Sequence, residues 1–388
     1  MTSTACPVCA SKLTQNVYPD YSGTCITSDM EILPRARIDN RICEECGLIF
    51  NGAGTRGTTR RFYRDSYSLM TKNSEAAIQS FHGATPMSQA ERTFELLKKF
   101  LTLPRSGVVL EAGAGKAEFL GLFVCEFPNW TAHAFEPSQS YDYLAQALPN
   151  VTTRRCDYYD FDLGDESTDL VVALGVLEHV ENPLDMLVWA NRQLREGGHF
   201  YLRVPNFARN PNDLFCADHL SKLTVPTIRS YAEATGFCVE AIEDAGVPVF
   251  ALLRKRGTPS GRLNTVYLEN LRIVDTNVAV AKALVESILA CRNVAHAKGE
   301  RFAIFGLASA GLFAPFIGGF NVDEITAYID ENRTIWGNRV HGRPVGGTDL
   351  IAEHNIRHIA LSISPVYFDQ VKAKLAPFGI SIYAAGCR

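Results

Sequence analysis

The spacing of hydrophobic residues along the chain predicts an alternation of helices and strands. A helix is indicated at 88–103, because Phe94, Leu97 and Leu101 recur at helical spacing behind a serine at a plausible N-cap. Val108, Val109 and the residue after them then form an apolar run typical of a buried parallel strand. Four later segments predict further strands of one sheet: TAHAFEPS, RRCDYYDF, STDLVVALG and GGHFYLRVPN.

The same pattern begins again in the last third of the chain. The segment GTPSGRLNT has the glycine, proline and serine content of a linker. A long helix is predicted roughly over 278–299, followed by a strand, a glycine turn and a helix in RFAIFGLASAGLF. A strand ending at Asp330 and two more, in IRHIALSIS and GISIYAA, complete the pattern. Alternating strands and helices predict an α/β fold with a parallel sheet in both regions.

The first 46 residues contain two Cys-x-x-Cys pairs, Cys6 with Cys9 and Cys43 with Cys46. Each pair places two sulfurs on one side of a tight turn, and two such turns complete a tetrahedral zinc site. Four protein ligands leave no open position, so we predict a structural Zn²⁺, although iron could occupy the same ligands. A redox pair is the alternative, but neither pair opens a helix after a strand. Cys25 could join the cluster.

The composition is that of an ordinary globular protein. The chain has 388 residues, 46% hydrophobic and 21% charged, which is enough for two or three domains. A net charge of -4 gives no electrostatic reason to expect nucleic acid or an anionic membrane. No apolar run reaches about 18 residues, and no secretory signal is visible. We therefore expect a cytoplasmic protein, a monomer or homodimer, with neither a nucleic-acid nor a membrane partner.

The stretch SGVVLEAGAGKAEF places a glycine turn between a strand and a helix, as nucleotide-binding folds do. Gly113 and Gly115 are present, but Glu118 occupies the third glycine position of the dinucleotide motif. A carboxylate there disfavours a pyrophosphate. S-adenosylmethionine has no phosphate, and Glu111 at the strand end suits its cationic amino-acid portion.

Acidic residues end the next two strands as well. Glu136 lies where an acid can bind ribose hydroxyls, and Asp157 is placed to meet the adenine amino group. The following strand runs into the segment LEHVENP. The predicted cofactor-binding residues are Glu111, Gly113, Ala114, Gly115, Glu136, Pro137, Asp157 and Leu174.

The glycine turn, Glu136, Asp157 and the segment LEHVENP follow one another in the order that resembles class I S-adenosylmethionine-dependent methyltransferases. With the four cysteines and the second glycine turn, nearly the whole chain resembles the sugar C-methyltransferases that act on nucleotide-linked keto-deoxysugars. The resemblance implies three domains: a zinc-binding lobe at 1–78, a Rossmann-like methyltransferase domain at 79–257 and a C-terminal Rossmann-like domain at 258–388. The last would help to bind the nucleotide-sugar substrate, and NAD is disfavoured there. Its candidate contacts are Gly306, Ser309, Asp330 and Asn332.

The loop after the fifth strand is the candidate acceptor site. In the family it carries a Glu-His pair whose histidine is the base, and here Asp218 and His219 match that pair. The family's tyrosine two positions earlier is replaced by Cys216. Tyr63 or Tyr67 could match a second family tyrosine that faces the site from the zinc lobe, or could serve packing alone.

Methyl transfer requires the acceptor lone pair to lie in line with the methyl–sulfur bond. A carbon acceptor must first become a carbanion, which a neighbouring ketone permits, and His219 is a suitable base near neutral pH. Asp218 could orient the histidine or bind a substrate hydroxyl. His179, in LEHVENP, is expected to shape the pocket more than to react.

The leading hypothesis is therefore C-methylation of a nucleotide-activated sugar. An O- or N-methyltransferase acting on a related sugar, glycoside or small molecule is the first alternative, because a hydroxyl acceptor needs the same base. A protein that keeps the fold but only binds the cofactor is the second. It is disfavoured because Glu111, Gly113, Gly115, Glu136 and His219 occur together.

Overall fold

The structure is a computed structural model that describes residues 5–28, 32–53, 63–64, 78–79 and 87–386. Its first sheet is built on an antiparallel hairpin between the two cysteine pairs, formed by strands β1 (Thr14–Ile26) and β2 (Ile32–Cys43). Strand β3 (Ile49–Asn51) pairs with β2. A two-residue strand from the central region, Ser221–Lys222, completes the sheet by pairing with β3.

The predicted helix after this region is confirmed. The two-residue strands β4 (Ile78–Gln79) and β5 (Met87–Ser88) pair, and helix α1 (Gln89–Phe100) follows directly. Its N-terminus is a capping box: the Glu91 amide donates to Ser88 Oγ at 3.1 Å, and the Ser88 amide donates to Glu91 Oε2 at 2.6 Å.

A seven-stranded sheet forms the central part of the molecule. Its order is β12-β13-β10-β9-β6-β7-β8, in which only β13 runs antiparallel to the other six strands. After β6 the chain adds β7 and β8 on one side of it and then crosses to add β9 on the other side. This reversal of strand order places a topological switch point beside β6. The elements are β6 (Val108–Ala112), α2 (Glu118–Glu126), β7 (Thr131–Phe135), α3 (Tyr141–Ala147), β8 (Thr152–Arg154), β9 (Thr168–Leu174), α4 (Pro183–Gln193), β10 (Leu194–Pro205), β11 (Ser221–Lys222), α5 (Val225–Ala234), β12 (Phe237–Glu243) and β13 (Pro248–Lys255).

The C-terminal region holds a six-stranded sheet with the order β16-β17-β15-β14-β18-β19. All its pairs are parallel except β16 with β17. The helix that precedes the sheet begins 11 residues before the predicted start at 278. The elements are α6 (Tyr267–Lys298), β14 (Arg301–Phe305), α7 (Ser309–Gly318), β15 (Ala327–Ile329), β16 (Arg339–Val340), β17 (Arg343–Gly346), α8 (Asp349–Glu353), β18 (Ile356–Leu361), α9 (Phe368–Leu375) and β19 (Ser381–Tyr383).

The first sheet lies between the other two and packs against both. Ile38 and Ile42 share a buried core with Phe215 and with Leu284 of α6. The ring of Tyr21 meets that of Phe313 on α7 edge-to-face at 4.7 Å between centroids. A second core combines Leu48 and Phe50 with the central sheet. None of the helices in the described ranges combines the length and apolar character that a bilayer crossing requires.

Candidate active site

A cavity of about 510 Å³ lies at the carboxyl ends of β6, β7 and β9, beside the switch point. This is where open α/β sheets bind their ligands. All eight residues predicted to bind the cofactor line this donor cavity: Glu111, Gly113, Ala114, Gly115, Glu136, Pro137, Asp157 and Leu174.

The glycine turn after β6 forms the floor of the donor cavity. Gly113 has φ +66°, and a Cβ built on it would lie 2.7 Å from a methyl carbon of Val176. The backbone conformation and the close packing therefore both require glycine at this position. The Gly113 amide donates to the Phe135 carbonyl at 2.9 Å, which joins the turn to the end of β7.

Two acids project from the neighbouring strand ends. Glu136 accepts hydrogen bonds from the amides of Gly115 at 2.8 Å and Ser138 at 2.9 Å, so both carboxylate oxygens have fixed positions. Asp157 accepts from the Tyr159 amide at 2.9 Å. Main-chain donors thus hold both carboxylates at the edge of the donor cavity, and carboxylate oxygens are acceptors suited to ligand hydroxyl or amino groups.

The third strand-end acid, Glu111, differs from Glu136 in its hydrogen bonding. Its side chain is 3% exposed, and Oε2 has no hydrogen-bond partner among the described residues. Burial raises the pKa of Glu111 to about 8, although Arg203 acts in the other direction. A buried carboxyl oxygen to which no described residue donates a hydrogen bond fits the ammonium group of S-adenosylmethionine, which would supply a positive charge and donors.

Cofactor binding at pH 7 is expected to release a proton from Glu111, because the ammonium ion favours the carboxylate over the acid whose pKa is about 8. Titration calorimetry in two buffers of different ionisation enthalpy measures this proton directly. We expect Glu111→Gln to remove the buffer dependence and to weaken binding. The exposed Glu126→Gln serves as the control. An unchanged buffer dependence in Glu111→Gln would contradict the assignment.

On the acceptor side, His219 pairs with a carboxylate that sequence analysis missed. Asp213 Oδ1 contacts His219 Nδ1, and Asp213 is almost fully buried. Burial on its own would lower the pKa of His219, but Cys216 and Asp213 outweigh it and raise that pKa well above its ordinary value. Because burial also raises the pKa of Cys216 to about 11, its thiol is neutral at pH 7. The effective negative charge is therefore that of Asp213.

Asp213, and not Asp218, contacts His219 Nδ1, while the Asp218 carboxylate binds the first lobe. Its carboxylate accepts from the Ser28 amide at 2.7 Å and from the Ser28 hydroxyl at 2.6 Å. Tyr63 Oη donates to the same carboxylate at 3.0 Å. Burial opposes its ionisation, but His179, His219 and Ser28 outweigh it and lower the pKa of Asp218 to about 2. Asp218 is therefore an anion.

Tyr63 and His179 complete the group. Tyr63 Oη contacts His179 Nδ1, and the His179 and His219 ring centroids are 4.7 Å apart. The structure thus brings together four of the five predicted catalytic residues. The fifth, Tyr67, lies outside the described residues.

The sheet of the first lobe holds this acceptor loop in place. Asn51 Nδ2 donates to the Ala217 carbonyl at 3.0 Å, and the Ala217 amide donates to the Ile26 carbonyl at 2.9 Å. Lys222 is 0% exposed and donates to the carbonyls of Cys216 at 3.2 Å and His219 at 2.7 Å. These bonds satisfy main-chain carbonyls on both sides of Asp218 and fix the loop conformation.

A second cavity of about 1280 Å³ opens beyond the acceptor loop and reaches the C-terminal sheet. The four candidate residues of that sheet, Gly306, Ser309, Asp330 and Asn332, all line it. Arg333 lies over the ring of Trp336 at 5.6 Å, and Trp336 is 38% exposed. The cavity thus offers an aromatic face and a cation from the C-terminal region.

The four N-terminal cysteines form one compact group. Cys6 Sγ lies 3.7 Å from Cys46 Sγ, and Cys9 Sγ lies 3.5 Å from Cys43 Sγ. All four sulfurs lie within 4.8 Å of one another. A tetrahedron with metal–sulfur bonds of about 2.3 Å has edges of about 3.8 Å, so the spacing fits zinc. Cys25 is buried in a different core and is outside the group.

Comparison with known proteins supports the fold. Residues 88–242 match the family model of the methyltransferase domain. The central domain is a methyltransferase domain. Together with the sheet order, this match gives it the class I S-adenosylmethionine-dependent methyltransferase fold. No curated protein matched the chain.

Solved structures align with less than half of the chain at low identity. A Listeria monocytogenes protein assigned as an S-adenosylmethionine-dependent methyltransferase is 13% identical over 44% of this chain and 100% of its own, with a TM-score of 0.38. A Mesorhizobium loti methyltransferase is 16% identical over 43% and 98%, with a TM-score of 0.37. The Burkholderia thailandensis 1,6-didemethyltoxoflavin-N1-methyltransferase, solved with S-adenosylhomocysteine, is 19% identical over 43% and 78%, with a TM-score of 0.35.

Proposed function

We propose that this methyltransferase transfers a methyl group from S-adenosylmethionine to the carbon next to the ketone of a nucleotide-linked keto sugar. The observation that carries this proposal is the buried Asp213–His219 pair, which lies where the donor cavity meets the larger cavity. A base at this junction can reach an acceptor in one cavity while the donor occupies the other.

The donor is held by the strand-end acids. Glu111 binds the ammonium group, Glu136 binds the ribose hydroxyls, and Asp157 binds the adenine amino group. Bound there, S-adenosylmethionine supplies an electrophilic methyl group. The protein contributes alignment, because the turn at Gly113 and the acids at neighbouring strand ends fix the donor relative to the acceptor loop.

His219 removes the proton from the acceptor carbon. Asp213 holds Nδ1, which leaves Nε2 for the substrate proton and fixes the ring orientation. Asp218, Tyr63 and His179 shape the wall around the reacting carbon and supply hydrogen-bonding groups for the sugar hydroxyls.

The rate constant kcat/KM is expected to rise with pH through and above neutrality, because a base must be neutral and Asp213 raises the pKa of His219. Asp213→Asn removes that charge, lowers the His219 pKa and should move the rising limb to lower pH. The plateau value of kcat/KM should also fall, because the His219 ring loses the carboxylate that orients it. Measurement of kcat/KM from pH 5 to 10 tests this, with the exposed Asp162→Asn as control. If the rising limbs of the Asp213→Asn and Asp162→Asn profiles lay at the same pH, the assignment of Asp213 as the partner of the base would be contradicted.

The larger cavity binds the nucleotide portion of the acceptor. Its volume of about 1280 Å³ exceeds the roughly 300–1,000 Å³ of an ordinary small-molecule site. Trp336 offers a face on which a base can stack, and Arg333 is a cation suited to a diphosphate. An elongated anionic acceptor fits this set better than a small neutral molecule does.

We also propose that the four cysteines bind a structural Zn²⁺. The sulfur spacing supports this, and the four ligands close the site. The ion would then stabilise the lobe that supplies Ser28, Tyr63 and Asn51 to the acceptor loop.

The function is tested with three acceptors that differ in one feature each: a nucleotide-linked 4-keto sugar, its reduced 4-hydroxy counterpart and the free keto sugar. Mass spectrometry after incubation with methyl-labelled donor detects transfer. We expect label on the keto nucleotide alone. Equal labelling of the hydroxy counterpart would overturn the carbon-acceptor proposal, and equal labelling of the free sugar would overturn the nucleotide subsite.

A further inference from the structure

The donor cavity and the larger cavity share a small set of lining residues, which lie where the two cavities meet. Arg203 is one of them, close to the carboxyl end of β10. It is the cation in the set that sequence analysis did not single out. The shared residues are Ser28, Gln89, Gly175, Glu178, Arg203 and His219.

The Arg203 guanidinium makes no hydrogen bond and no close ion pair with any residue in the part of the chain that the structure describes. Glu178 and Glu111 act on it only at longer range. Gly175 leaves space beside it, since a Cβ there would lie 3.4 Å from Arg203 Nη2. A guanidinium carries five donors, so a half-buried guanidinium that faces both cavities without a hydrogen-bond partner among the described residues is suited to bind an anionic ligand.

We propose that Arg203 is a catalytic residue that binds the oxygen of the acceptor as that oxygen becomes an enolate. This role rests on the proposed function. The base takes the proton from the carbon next to the ketone, and the electron pair of that C–H bond moves into the enolate, whose oxygen carries the charge. The carbon–methyl bond then forms as the methyl–sulfur bond breaks; the sulfur keeps that electron pair and the ketone is restored.

The position of Arg203 favours the acceptor over the carboxylate of the donor. Val204 and Pro205, which follow it on β10, line only the larger cavity. The predicted donor contacts lie at or after the ends of β6, β7, β8 and β9, and β10 is separated from β6 by β9. The chain beyond β10 also leads directly to Asp213 and His219, so base and cation flank the same space.

Enolate formation can be observed without methyl transfer. In D₂O, with S-adenosylhomocysteine in place of the donor, the enzyme should exchange the proton next to the ketone of a nucleotide-linked 4-keto sugar. We expect Arg203→Met to slow both this exchange and kcat by about 10²- to 10³-fold, as for loss of an oxyanion donor. Arg203→Lys should retain part of each rate. The dissociation constant of S-adenosylmethionine should change less than about threefold in both variants.

Arg254→Met on β13, outside both cavities, is the matched control and should leave both rates unchanged. A folded Arg203→Met or Arg203→Lys protein with wild-type exchange would overturn the role of Arg203. Loss of donor affinity with exchange intact would overturn it too and assign Arg203 to the donor carboxylate. Absence of both exchange and methylation in the wild-type enzyme would instead overturn the proposed function, and this role with it.

Discussion

Replacement of His219 by alanine is expected to lower kcat by about 10²- to 10⁴-fold, the usual contribution of a general base. The dissociation constant of S-adenosylmethionine should change little, because the acids proposed to bind the donor lie at or after the ends of β6, β7 and β8. Rapid-quench kinetics with a nucleotide-linked keto sugar gives the rate, and calorimetry gives the donor affinity.

His219→Gln is the companion variant, since glutamine can still hydrogen-bond to Asp213 but cannot take a proton. An equal decrease in kcat for His219→Ala and His219→Gln is expected if the function of His219 is to remove the proton. Full activity in a folded His219→Ala protein would place the base elsewhere. His179 would be the next candidate, because its ring lies 4.7 Å from that of His219 between centroids.

Replacement of Cys43 by serine is expected to release zinc and unfold the first lobe. Structural zinc sites contribute about 10–16 kcal/mol, and that binding energy is folding energy. Metal analysis measures the amount of zinc bound per chain. Hydrogen exchange measures the protection of the backbone amides of β1 and β2, which reports whether the first lobe is folded. Activity should fall with the metal content, because Asn51 and Ser28 from this lobe hold the acceptor loop.

The exposed Cys125→Ser controls for the loss of a thiol and should keep both metal and activity. Metal content that is unchanged in Cys43→Ser would refute the four-thiolate site. A protein that loses its metal but retains protected amides on β1 and β2 would show that the lobe folds without zinc.

Local patterns explain why much of the fold and the donor cavity could be predicted. The glycine turn at Gly113 and the acids Glu111 and Glu136 each follow a single apolar run, so a short stretch of sequence contains the signal. The capping box at Ser88 is similarly complete within four residues. The parallel sheet then places the strand ends together without further information.

The acceptor site depended on contacts that no local pattern contains. Ser28 lies 190 positions from its partner Asp218, and Asn51 lies 166 positions from Ala217. Asp213 is only six positions before His219, but the chain between them passes from a short 3₁₀ helix, Pro211–Phe215, into a bend, and no sequence periodicity predicts that one side chain points at the other. The early start of α6 was missed because Val266 at its N-cap provides no side-chain cap.

The measurement that tests the central claim most directly is a ¹³C NMR spectrum recorded after the protein has been incubated with S-[methyl-¹³C]adenosylmethionine and a panel of nucleotide-linked 4-keto sugars. The account predicts a new methyl signal at high field, where carbon-bound methyl groups resonate, and its disappearance in His219→Ala. A signal in the methoxy region would contradict C-methylation and show that the acceptor is a hydroxyl group.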